Sequence, residues 1–110
     1  MAPASRTSVS CAWCGRDVAP TGLGRRRRYC RQSCRQRAYE QRNTLKDTTI
    51  PADAVILTPT EAGALSDRMF ELRCAAEDIA TAVAENADPT ELATLADRLV
   101  TMARDAERFR

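Results

Sequence analysis

Four cysteines in the order Cys11-x2-Cys14-x15-Cys30-x3-Cys34 constrain the fold of this chain more than any other feature. Two close pairs separated by roughly 12–20 residues are the spacing of a tetrahedral metal site. Tetrahedral zinc takes four thiolates at about 2.3 Å, so each pair must aim both sulfurs at one point. The first pair lies in Cys11-Ala12-Trp13-Cys14-Gly15, where a tight turn forms a knuckle and Gly15 permits the left-handed backbone that follows. The second pair stands at i and i+4, which on a helix is one face, one turn apart. The stretch from Cys30 to Asn43 is rich in arginine and glutamine and holds no glycine or proline, so a helix is expected there. Knuckle, hairpin and helix with ligands in its first turn make a treble-clef arrangement. One structural Zn2+ per chain is the expected cofactor, held by Cys11, Cys14, Cys30 and Cys34.

Other chemistries can use four cysteines. Two disulfides would need an oxidising compartment, and the stretch Met1–Ser10 has no apolar core of the kind a secretory signal carries. A redox Cys-x-x-Cys needs a thioredoxin-like βαβ context, which this pattern does not supply. An iron–sulfur cluster also takes four thiolates, and spacing separates it from zinc only weakly. The chain has no histidine, so any zinc site must be all-thiolate. The same absence removes the commonest general base and every triad built on it. Four thiolates leave no open coordination position, and there is no phosphate-cradling glycine loop. The chain therefore does not read as an enzyme.

The net charge of +2 hides a split. Residues 1–46 carry eleven basic side chains against two carboxylates, a net +9 that four-thiolate zinc would trim to about +7. Residues 47–110 carry six against thirteen, a net −7. This asymmetry predicts a basic binding module joined to an acidic helical one. In the basic half, Arg25, Arg26, Arg27 and Arg28 form a run suited to gripping phosphates and setting register. Arg31, Gln32, Arg35, Gln36, Arg37 and Arg42 follow on the helix, and arginine and glutamine are the side chains that read guanine and adenine edges. All ten are candidate nucleic-acid contacts. Trp13 reads first as the module's main hydrophobic contact and second as a base-stacking ring.

The run Tyr29-Cys30-Arg31-Gln32-Ser33-Cys34-Arg35-Gln36-Arg37-Ala38-Tyr39, after an upstream Cys-x-x-Cys-Gly, resembles small bacterial, largely actinobacterial, zinc-finger proteins with a Y-C-S-x-x-C-R-Q-R-A-Y run. It is also similar to CGNR-type fingers. It departs from them in having three residues inside the second pair rather than four, and in lacking Gly-Asn-Arg. The resemblance covers about residues 11–43 and implies a treble-clef zinc ribbon with a nucleic-acid role.

The acidic half repeats one start signal. Thr58-Pro59-Thr60-Glu61 and Asp88-Pro89-Thr90-Glu91 each place an N-cap, a proline at the first helical position and glutamate at the third. Helices are expected over about 59–85 and 89–109. The short connection makes them antiparallel. Apolar residues at alternating spacings of three and four, Leu65, Met69, Leu72, Ala76, Ile79 and Val83, then Leu92, Leu95, Leu99, Met102, Ala106 and Phe109, mark a coiled-coil-like seam. Phe70 and Cys74 stand off that seam, one turn apart, and should touch a partner or the zinc module, or else pack against Val55-Ile56-Leu57 within the chain. Cys74 reads as a small hydrophobe, not a ligand. Two thin helices bury little, so a homodimer through Leu65, Met69, Phe70, Leu72, Ile79, Val83, Leu92, Leu95, Leu99, Met102 and Phe109 is expected. Val55-Ile56-Leu57 should pack against another element.

The expected fold class is thus a small zinc-stabilised treble-clef or ribbon module, a short β-hairpin plus a helix, followed by an all-α antiparallel hairpin that dimerises into a four-helix bundle. The expected domains are a disordered tail over 1–10, a finger over 11–43, a linker over 44–58 and the hairpin over 59–110. The function these features predict is DNA binding by a small dimeric regulator or nucleoid-type protein in the bacterial cytoplasm. An adaptor holding an acidic protein partner and an RNA binder use the same residues. No membrane and no small-molecule substrate is expected.

Overall fold

The computed structural model describes residues 9–19 and 27–110. The chain divides into two compact units, Met1–Ile56 and Leu57–Arg110. The first contains strands β1 (Val9–Ser10) and β2 (Asp17–Val18) and helix α1 (Gln32–Thr44); the second contains α2 (Pro59–Ala84) and α3 (Pro89–Ala106).

β1 and β2 pair antiparallel, Val9 opposite Val18 and Ser10 opposite Asp17. This differs from the expected order. The strand pair encloses the cysteine knuckle rather than following it, because the turn between the strands is the knuckle itself. It also recruits Val9 and Ser10 from the stretch expected to be tail; residues 1–8 lie outside the described residues. The boundary between the units falls after Ile56, and the expected linker is tied into the first unit. There the Gln41 Nε2 donates to the Ala54 carbonyl at 2.8 Å. Val55 and Ile56 are exposed, so the packing expected of Val55-Ile56-Leu57 is confined to half-buried Leu57.

Both predicted helix starts form. Thr58 Oγ1 accepts from Glu61 N at 3.1 Å while Glu61 Oε1 accepts from Thr58 N at 2.9 Å, a reciprocal capping box. Asp88 Oδ1 accepts from Glu91 N at 2.9 Å. Between them α2 ends in a Schellman motif: Ala87 N donates to Ala82 O and Asn86 N to Val83 O, with Asn86 at φ 56°. Asparagine tolerates that left-handed conformation, which reverses the chain within a few residues. α3 stops at Ala106, short of the expected 109. The Arg108 carbonyl instead accepts from Arg68 Nη2 at 2.8 Å, and Arg110 Nη1 lies 3.7 Å from Glu61 Oε1.

The α3 seam is the expected one: Leu92, Leu95, Leu99, Met102 and Phe109 are half-buried and Ala106 is buried. On α2 the seam is rotated. Leu65, Leu72 and Ile79 hold their places, but Met69, Ala76 and Val83 are exposed and Arg68, Ala75 and Ala82 stand in the seam instead. Spacings of 65, 68, 72, 75, 79 and 82 keep the 3-4 beat as well as the expected set does. Most of the seam residues expected as dimer contacts thus pack α2 against α3 within one chain, while Met69, Phe70 and Val83 remain outside it.

Candidate metal centre

The knuckle is built by backbone bonds. Cys11 N donates to Arg16 O at 2.7 Å and Gly15 N to Cys11 O at 2.9 Å. Gly15 has φ 85°, the left-handed conformation its position requires. Ala12 N donates to Arg28 O at 2.8 Å, which brings the approach to the second pair alongside the first.

The second pair is not carried on one helix face as the i, i+4 spacing suggests. Arg31 is the extended N-cap of α1, at φ −158° and ψ 166°, so Cys30 precedes the helix and only Cys34 lies in its first turn. The sulfurs still converge. All four lie within 4.8 Å of one another. Cys14 Sγ is 3.5 Å from Cys30 Sγ, which is 3.7 Å from Cys34 Sγ. A tetrahedron of sulfurs 2.3 Å from a central ion has edges of about 3.8 Å, so the group fits a single four-thiolate metal site. None of the five cysteines is in a disulfide. Cys74 lies outside the group.

These thiols are also the core of the unit. Cys11, Cys14, Val18 and Cys34 are its buried cluster, with Trp13, Tyr29 and Cys30 packed around them. Trp13 is half-buried against this cluster. A unit whose largest fully buried side chains are two cysteines has little hydrophobic reserve.

The electrostatics of the four sulfurs are uneven. Burial pushes the Cys11 thiol up, but backbone groups of Cys14, Cys30 and Trp13 and the Cys14 thiol outweigh it and hold Cys11 at about 6. Burial drives Cys30 up to about 12, reinforced by the neighbouring thiols of Cys14, Cys34 and Cys11. Burial also raises Cys34, against the hydrogen bond from Arg31. Arg31 in turn is raised, first by its hydrogen bond to Cys34 and then by the charge of both Cys34 and Cys30. α1 has no side-chain N-cap and no acidic residue in its first turn. Held as metal-bound thiolates, the sulfurs of Cys30 and Cys34 would supply the negative charge that a helix N-terminus favours.

Around this centre the predicted contact residues divide. Arg25 and Arg26 lie outside the described residues. Arg27, Arg28, Gln32, Arg35, Gln36, Arg37 and Arg42 are exposed. Cys34, Ala38, Gln41 and Leu45 form the inward face of α1, so Gln32, Arg35, Gln36 and Tyr39 share the opposite one, flanked by Arg37 and Arg42. Arg31 is exposed as well, but the Cys34 sulfur is its first electrostatic partner. Gln36 Nε2 donates to Glu40 Oε1 at 3.3 Å. Arg42 Nη1 donates to the Tyr29 hydroxyl at 3.1 Å, and the Arg28 guanidinium stands 5.9 Å from the centre of the Tyr29 ring. None of the exposed arginines on α1 closes an ion pair with a described carboxylate. Sequence reasoning did not assign Arg31 to the sulfurs, and its position between two ligands was the available signal. No helix is long and apolar enough to cross a membrane among the described residues. Compared with known proteins, the chain matches no family model, no curated protein and no solved structure.

Proposed function

We propose that this chain is a zinc-dependent DNA-binding protein in which the first unit is the finger and α1 the reading helix. The fold of that unit is, in this reading, a treble clef. Zinc is the metal because a closed four-thiolate tetrahedron without histidine is its structural coordination. When bound, it supplies the cross-link that a unit with so small a core needs in order to fold.

The observation that carries the reading is the outward face of α1. Gln32, Arg35 and Gln36 line it, Arg37 and Arg42 flank it, and its arginines have no carboxylate partner among the described residues. A helix of 13 residues is about 20 Å long and enters a major groove about 12 Å wide. Arg28 and Arg42 gather about Tyr29 at one side, where phosphate contacts would set the register with the neighbouring Arg27. The helical hairpin supplies dimerisation, so that two fingers address paired half-sites. The chain is a small regulator or nucleoid-type protein on this account.

Binding of the zinc-loaded chain to a randomised duplex pool, followed by selection and sequencing, tests it. An enriched motif that Arg35→Ala with Gln36→Ala relaxes is the expected result. No binding to any duplex at low salt overturns the proposal.

A further inference from the structure

The second unit has almost no buried core. Among its described residues only Ala82 and Ala106 fall in the buried class, and both are alanine. Yet it keeps a large apolar surface open, including Phe70, which is 57% exposed. Beside Phe70 a cavity of about 380 Å³ opens between α2 and α3, floored by Cys74, Ala75, Leu95 and Met102. Arg73 stands 5.1 Å from the Phe70 ring centre and 3.5 Å from Glu77, so the ring is braced from one side. A braced aromatic side chain next to an open apolar groove is a knob lying beside a hole.

The rim of the groove carries charge of both signs. Glu71 and Asp78 project from α2 and Arg98 from α3. None of the three closes an ion pair with a described residue. Two carboxylates on one helix and a guanidinium on the other are thus left complementary to a second copy of themselves. In an isologous contact each element meets its counterpart across a two-fold axis. An axis running parallel to the two helices sets α3 of each chain against α2 of its partner. Arg98 of each then faces the Glu71 and Asp78 carboxylates across the axis, and each Phe70 meets the opposite groove.

We propose that this groove is the homodimer interface of the chain, with a second copy as its occupant. The inference rests on the dimeric reading given above and names the surface. A permanently available copy also answers the burial deficit, since two hairpins complete one four-helix core. The remaining exposed apolar residues, Met69, Val83 and Val100, carry no such charge pairing and define the competing face.

The test uses the full zinc-loaded chain in sedimentation velocity across a concentration series. Arg98→Glu alone, and Glu71→Arg with Asp78→Arg in a second variant, each put like charges face to face across the axis. Each is expected to weaken self-association by roughly tenfold or more. Mixing the two variants restores both charge contacts in a heterodimer, so wild-type affinity should return in the mixture alone. That pattern also excludes simple misfolding, because neither folded partner is altered by mixing. If the variants dimerise like wild type and Met69→Glu with Val83→Glu dissolves the dimer, the named surface is wrong while the dimeric reading stands. A wild-type chain that stays monomeric throughout the series overturns both.

Discussion

The salt dependence of DNA binding is the sharpest measure of how the basic face is used. Among the described residues, Arg27, Arg28, Arg37 and Arg42 are exposed without a carboxylate partner and lie outside the base-reading set of Gln32, Arg35 and Gln36. Arg31 is left out, because its guanidinium is engaged by the sulfur of Cys34. For B-DNA the slope of log K against log salt is about −0.9 for each phosphate neutralised, so four contacts give about −3.6 for each finger. Raising salt from 50 to 200 mM is then expected to weaken the binding of each finger by roughly 150-fold. Arg37→Gln with Arg42→Gln should make the slope shallower by about 1.8, whereas Arg31→Gln should change it by less than half a unit. Fluorescence anisotropy of a labelled duplex titrated with zinc-loaded chain at four or five salt concentrations reads these slopes directly. A wild-type slope shallower than about −2 would mean that most of these arginines never meet phosphate. An effect of Arg31→Gln as large as that of Arg37→Gln would refute the division between sulfur-facing and outward arginines.

Further outcomes concern the metal centre and the helices. Because α1 contributes 13 helical residues against 26 and 18 in α2 and α3, chelating the metal should remove about a quarter of the helical circular dichroism and leave the rest. Loss of all of it would mean that the hairpin depends on the finger. Zinc loading at pH 8 in weak buffer should release protons from Cys30, pushed up to about 12, and from Cys34, also raised, but none from Cys11, held at about 6. Since metal binds the thiolate, affinity should rise with pH through this range and drop further below about pH 6, where Cys11 also protonates. Pulsed pH-indicator measurements and competition titrations check both statements, and a flat affinity from pH 5 to 8 contradicts them. Gly63 lies inside α2, and a methyl group at its Cα would meet nothing within 4 Å, so Gly63→Ala should raise hairpin stability by about 0.5–1 kcal/mol in thermal melts.

What the sequence disclosed, and what it withheld, follows from how local each signal is. Both helix starts in the second unit were readable because a capping box and an N-terminal proline act within four residues. The cysteine set was readable because only a few arrangements of four thiols satisfy a tetrahedron. The start of α1 was misplaced by two residues because the i, i+4 spacing of Cys30 and Cys34 also fits an extended Arg31 that brings the sulfurs together from outside the helix. The seam of α2 was misplaced for a related reason. Leu65, Leu72 and Ile79 fix the heptad at seven-residue intervals, but the positions between them can be filled from either side. Hydropathy favours Met69 and Val83, whereas the fold places the smaller Ala75 and Ala82 there. The larger side chains are then displaced outward. Arg68 completes the seam because its head reaches the Arg108 carbonyl beyond the end of α3 while its stem stays in the interface. A long cation at such a position looks polar to any pattern of apolar residues. Its partner, a backbone carbonyl 40 residues away, has no sequence signature at all.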